Sequence, residues 1–124
     1  MTAKTDDYDA IVRVMQLYID GFNENDVGMF KEAFHEDAWI FFTEADGSLR
    51  KSLISERFET WAAPPSWGVI GRIISVTQVG DAASVQCTWD VASDRSRSFV
   101  DFHNLLRIDG VWKIMNKTAT HSSR

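Results

Sequence analysis

The sequence predicts an α+β fold, with three N-terminal helices packed on a strongly curved, mostly antiparallel sheet. Two observations carry this. Apolar residues near the N-terminus recur at spacings of three and four, the period of an amphipathic helix. The second half holds four β-patterned runs with almost nothing between them but turn residues, which pair as an antiparallel meander. Strands of that length twist and coil. The helix stripe must be buried against something, and the concave side of the sheet is the available surface. A helix laid across a hollow sheet encloses a pocket.

Residues 5–24 form the first helix, with Tyr8, Ile11, Val12, Met15, Tyr18, Ile19 and Phe22 on one stripe. Thr5 or Asp6 serves as N-cap, and the acidic first turn suits the helix dipole. Asn23-Glu24-Asn25-Asp26 breaks the pattern, and Asp26 caps a short second helix that turns Val27, Phe30 and Phe34 inward. His35-Glu36-Asp37 ends that helix, residues 38–43 form a short apolar strand, and Asp46-Gly47 turns the chain. Ser52 caps a third helix carrying Ile54, Phe58 and Trp61. Ala63-Pro64-Pro65-Ser66 is a stiff loop, not a domain linker. The meander strands are residues 68–79, 83–91, 97–108 and 111–120. Asp109-Gly110 is a two-residue hairpin signal. His121-Ser122-Ser123-Arg124 is expected to fray.

Composition sets the outer limits. The 124 residues suffice for one core, so a single domain spanning 1–124 is expected. A net charge of −5 leaves no broad basic face for phosphate backbones, so nucleic acid is not an expected partner. No apolar run approaches the roughly 20 residues that span a bilayer, and the start Met1-Thr2-Ala3-Lys4-Thr5-Asp6-Asp7 is unlike a signal peptide. No membrane is expected, and the cytoplasm is the expected compartment. The single cysteine, Cys87, excludes an intramolecular disulfide and reads as a small apolar strand residue. Five Trp, eight Phe and two Tyr are many for this length, enough both to fill a core and to line a cavity. The outer face of the meander also carries apolar residues, so a homodimer through the sheet backs is expected.

The order of these segments resembles the nuclear transport factor 2-like superfamily. Closer in, Tyr18-Ile19-Asp20-Gly21-Phe22, Phe34-His35-Glu36-Asp37-Ala38, Phe99-Val100-Asp101-Phe102 and Trp112-Lys113-Ile114-Met115-Asn116-Lys117 resemble the putative lumazine-binding family within it. The resemblance covers nearly the whole chain. It implies a cone-shaped α+β barrel, a pocket between helices and sheet, and frequently a dimer. The superfamily includes ketosteroid isomerases, dehydratases, cyclases and non-catalytic binding domains, so fold alone does not settle function. Tyr18 matches the position where ketosteroid isomerases carry an oxyanion-stabilising tyrosine, a buried O–H aimed at a developing enolate. Their general base aligns with Phe42, which is no base. The nearest carboxylate is Glu44. Their second oxyanion donor aligns with Asn104, whose amide can donate without a raised pKa.

Asp101 and His103 alternate on one strand and share a face, so they are the candidate acid/base pair. Which face of residues 97–108 lines the pocket stays open, because both faces are mixed. An outward pair would instead serve a subunit contact. Asn116 and Lys117 lie on opposite faces, so one of them faces the pocket. The expected aromatic wall is Tyr18, Phe22, Trp39, Phe41, Trp61 and Trp89, with Asp101, His103, Asn104 and Asn116 orienting the guest. Trp67 is core or wall. His35 ends a helix, and His121 lies near the strand end. The three histidines have no metal-ligand spacing, so no metal is expected. No nucleophile triad, nucleotide-binding glycine motif or phosphate loop is present, and no cofactor is expected. The expected guest is a small apolar or aromatic molecule. A cofactor-independent isomerase, dehydratase or cyclase is one reading; a pterin-binding or assembly domain is the other.

Overall fold

Helix α1 (Lys4–Asn23) buries Ile11, Met15, Tyr18, Ile19 and Phe22, the stripe expected from their spacing. The structure is a computed structural model that describes residues 4–92 and 94–123. Tyr8 departs from the stripe and is half exposed, because the first turn of the helix reaches the end of the sheet, where Asp7 meets Arg107. Asp26 caps α2 (Val27–Ala33), its Oδ1 accepting from the Met29 amide. The chain passes directly from α2 into β1 (Phe34–Thr43), so His35, Glu36 and Asp37 are strand residues and not a helix end. A strand absent from the sequence reading, β2 (Leu49–Leu53), pairs back on β1. Its exposed side chains give no apolar alternation to find. A 3-10 turn (Ile54–Arg57) and α3 (Phe58–Ala62) follow, with Ile54, Phe58 and Trp61 buried.

The meander is β3 (Val69–Val79), β4 (Ala82–Val91), β5 (Asp94–Ile108) and β6 (Val111–Ser123). Residues 121–123 continue β6 instead of fraying, because Arg97, Ser98 and Phe99 of β5 pair with them; Arg124 lies outside the described residues. Asp109 and Gly110 both have positive φ, as a tight hairpin between twisted strands requires. The sheet has the order β2-β1-β6-β5-β4-β3, with β1–β6 its one parallel pair, and it is not closed: β2 and β3 are its edges. Among the described residues no helix is long and apolar enough to cross a membrane.

The sheet bends around α1. In a flat sheet β1 and β4 would stand roughly 14 Å apart, three spacings of about 4.8 Å. Yet the Tyr18 ring lies 4.8 Å from that of Phe34 on β1 and 4.8 Å from that of Trp89 on β4. Two close contacts seat the helix. A Cβ on Gly21 would lie 2.6 Å from Phe30, and one on Gly71 would lie 2.9 Å from Ile19. At the helix end, Asn23 binds both the amide and the carbonyl of Val69, at 2.9 and 3.0 Å, so its side chain pairs with β3 as a strand would.

One irregularity decides what faces inward. Asn104 pairs with Asn116, but Leu105 pairs with Ile114, so Met115 is an extra residue in β6. Before it, Trp112 and Ile114 point into the core. After it, Lys117 does. The bulge resets the alternation.

Candidate active site

Between α1, α3 and the concave sheet lies a cavity of about 610 Å³. Its deep wall is aromatic: Tyr18, Phe22, Trp61 and Trp89 are buried and in mutual ring contact. Ile40 and Val91 complete the wall. Thr43, Ala45, Arg97 and Thr120 also line it but are exposed, so they form its rim.

A charged group sits at the apolar end. Lys117 Nζ lies 3.1 Å from Asp101 Oδ2 and donates to the Tyr18 hydroxyl. The ammonium is also 4.8 Å from the Trp61 ring centre and 5.1 Å from that of Tyr18, within cation–π range. Three elements deliver these groups: the inward stripe of α1, the inward face of β5, and β6 beyond its bulge. Asp101 Oδ1 and Trp89 Nε1 are buried with no hydrogen-bond partner among the described residues. Both residues line the cavity, although these two atoms are themselves enclosed by protein.

Burial governs the protonation of this group. It raises the Asp101 pKa, against the opposing charge and hydrogen bond of Lys117. It holds the Tyr18 hydroxyl well above its ordinary range, with the Asp101 charge and Cys87 adding to the effect. Tyr18 therefore keeps its proton and remains a donor. Burial, with the Asp101 charge, also pushes the Cys87 thiol up to about 12, so it behaves as an inert core group.

The structure brings Tyr18, Phe22, Trp61, Trp89 and Asp101 to the cavity wall. His103 is not there. It shares the inward face of β5 but is fully buried in the core, its ring 5.5 Å from that of Tyr18 and its Nδ1 3.3 Å from the Val85 carbonyl. Burial and the Lys117 charge push its pKa down to about 3, so it stays neutral. Same-face neighbours on a strand stand about 6.6 Å apart, and the partner of Asp101 is Lys117, so Asp101 and His103 form no dyad.

Trp39 and Phe41 are also off the wall, because β1 turns Ala38, Ile40 and Phe42 inward. Trp39 instead carries Lys51 over its ring at 5.9 Å. Asn104 and Asn116 bind each other on the outer face at 3.0 Å, and Ser84 donates to Asn104. Phe42 and Trp67 line the cavity; Glu44 lies at the rim, bonded to Arg50 at 3.2 Å. His35 on β1 accepts from the Asp37 amide at 3.0 Å. The side chain of His121 lies outside the described residues. Among the described residues no cluster of three or more metal-ligating side chains occurs.

Sequence reasoning missed the central role of Lys117 and the presence of Arg57 and Arg97 on the wall. A lysine midway along a strand that packs one face on the core was the available signal, but its direction depends on the bulge.

An open, bent six-stranded sheet with three helices on its concave side, enclosing an aromatic cavity, defines the NTF2-like α+β class. An NTF2-like protein of unknown function from Shewanella baltica OS155 superposes with a TM-score of 0.88 at 29% identity, over 100% of both chains. Another from Methylobacillus flagellatus KT does so at 0.82 and 26%, over 98% of this chain and 97% of that one. Within the class, residues 6–119 match the family described as putative lumazine-binding, and the chain belongs to that family. Among characterised proteins it is similar to the aldolase FrzH of Cladobotryum sp, with 24% identity over 111 residues, 90% of this chain and 88% of that protein.

Proposed function

We propose that this protein binds a small, largely apolar carbonyl compound and moves protons on it, using Asp101, Lys117 and Tyr18. The observation that carries the reading is the buried Asp101 carboxylate, with one oxygen on Lys117 and the other unpartnered in a cavity-lining residue. The carbonyl oxygen of the substrate accepts from the Tyr18 O–H and from Lys117. The Asp101 carboxylate takes a proton from the adjacent carbon, and the C–H electron pair passes to the carbonyl oxygen as an enolate. Donors held beside the developing oxyanion stabilise that charge. A carboxylate whose pKa is raised by burial is a better matched base than an exposed one. Return of the proton at another carbon is isomerisation, expulsion of a β-hydroxyl is dehydration, and attack on a second carbonyl is aldol addition or cyclisation. The similarity to a protein named an aldolase supports enolate chemistry.

Incubation in D2O with a panel of ketones tests this. Deuterium should enter next to the carbonyl, seen by proton NMR, and Asp101→Asn should abolish the exchange. Binding without exchange for every ketone bound would overturn it in favour of a second reading. That reading is a non-catalytic binder of a pterin-like ring, supported by the family description and by the flat aromatic wall. In either case we place the protein in the cytoplasm as a homodimer joined through the outer sheet face, where Ile70, Ile74, Phe102 and Leu106 are exposed.

A further inference from the structure

We propose that the cavity selects ligands bearing a carboxylate, held at the rim by Arg57 and Arg97 while the carbonyl meets Lys117 and Tyr18. This rests on the carbonyl-binding reading above and adds the substrate class. The chain carries a net charge of −5, yet its cavity is lined by three cations, Arg57, Arg97 and Lys117, and two anions, Glu44 and Asp101. Pairing sharpens that imbalance. Asp101 is taken by Lys117, and Glu44 by Arg50, which is not a lining residue. Among the described residues neither Arg57 nor Arg97 is paired with a carboxylate. Two guanidinium charges are therefore left on the cavity wall, away from the buried pair.

Their mounting also suits an anion. The Arg57 guanidinium lies 5.4 Å from the Phe42 ring centre, and its Nε donates to the Ser52 hydroxyl at 3.3 Å. That of Arg97 lies 5.6 Å from Trp67 and 5.5 Å from Phe99. An arginine resting on an aromatic face keeps its planar fork of N–H donors at the edge, the geometry that matches a carboxylate. Phe42 is on β1, whereas Trp67 and Phe99 belong to the β3 approach and β5, so the two cations come from different walls. A fitting ligand has a carbonyl at its deep end, an apolar or aromatic body against Phe22, Trp61 and Trp89, and a carboxylate at its outer end.

Three probes share one skeleton: 4-acetylbenzoate, its methyl ester, and 4-methylacetophenone, which lacks the acid. Quenching of tryptophan fluorescence reports their binding, because Trp61, Trp67 and Trp89 line the cavity. The free acid should bind roughly tenfold or more tightly than the ester, the usual effect of a charge-assisted hydrogen bond at a partly exposed site. Arg97→Gln, at an exposed position, should erase most of that preference by weakening the acid far more than the ester. Arg57→Gln should do the same, and added salt should weaken the acid only.

Equal affinity for acid and ester in the unaltered protein would overturn the carboxylate rim while leaving the carbonyl site standing. A preference that survives Arg57→Gln and Arg97→Gln, with both variants still folded by circular dichroism, would also overturn it. Tight, arginine-dependent binding of the acid without deuterium exchange would support the rim and remove the catalytic reading. Failure of all three probes to bind at millimolar concentration would overturn both.

Discussion

Strand β5 carries two charged clusters that differ in almost every physical respect. Near its end, Arg107 bonds Asp7 at 2.6 Å and Asp81 at 2.8 Å and lies over Trp112 at 5.1 Å, in contact with water. In its middle, Asp101 and Lys117 pair in a space that water barely reaches. The first cluster ties the start of α1 to the β3–β4 turn, a task many surface pairs perform with little net gain. The second is a poor way to hold a fold together. Desolvating two charges costs more than their attraction commonly returns, and apolar residues of the same volume would do as well. A buried pair beside an open cavity is therefore the feature on which the proposed chemistry rests.

The largest expected effect comes from breaking the buried cluster on one side. Lys117→Met leaves a carboxylate without its counter-charge, and urea unfolding should record a loss of about 3–5 kcal/mol. Changing both partners, Lys117→Met with Asp101→Leu, should restore most of that stability while abolishing deuterium exchange. A double variant as unstable as the single one would mean that the pair is structural after all.

Tyr18→Phe is gentler on the fold and harsh on function. The ring contacts remain and the hydroxyl goes, so stability should fall by about 1 kcal/mol, whereas exchange should slow by about 10²-fold or more if Tyr18 donates to an enolate. Equal exchange rates would move the oxyanion role to Lys117 alone.

The pH dependence separates the buried groups. The folded pKa of Asp101 lies above its ordinary 3.8, so the folded chain holds that proton more firmly than the unfolded one. Its contribution to stability is full below 3.8 and is lost as pH rises through the folded value. His103 runs the other way. With a folded pKa of about 3 against 6.5, its contribution is full above pH 6.5 and is lost as pH falls towards 3. Thermal unfolding from pH 7 to 3 should show His103→Gln less acid-sensitive than the unaltered protein, and Asp101→Asn more so. The smallest effect belongs to the surface: Arg107→Ala should lower the unfolding midpoint slightly at low salt and not at all near 1 M, where charges are screened within about 3 Å.

Much of this fold was legible from period alone. The stripe on α1, the Asp26 cap and the Asp109-Gly110 hairpin are local patterns with local causes, and each appears where the residues placed it. Tyr18 and Asp101 were legible as candidates because α1 is regular and because β5 alternates without interruption from Phe99 to Leu105. What failed was non-local. Lys117 faces inward only because one residue bulges out of β6, and a bulge has no signature in the strand that contains it. Trp39 and Phe41 read as wall by chemistry alone, but the register of β1 against β6 gives the inside to Ile40 and Phe42. His103 shares a face with Asp101 and still misses the site, since a face is longer than the hollow in it.

Gly71 bears on which guest the hollow admits. Ile19 of the helix rests in the notch that this missing side chain leaves, and Trp89, whose ring is 3.3 Å from where a Cβ would stand, borders the same notch. The notch therefore acts as a shim beneath the rod. A single methyl inserted there would lift Ile19 or swing Trp89, altering the width of the chamber from behind its lining while every group that touches the occupant keeps its identity. Guest size in such a scaffold can thus be tuned by a residue that the guest never meets.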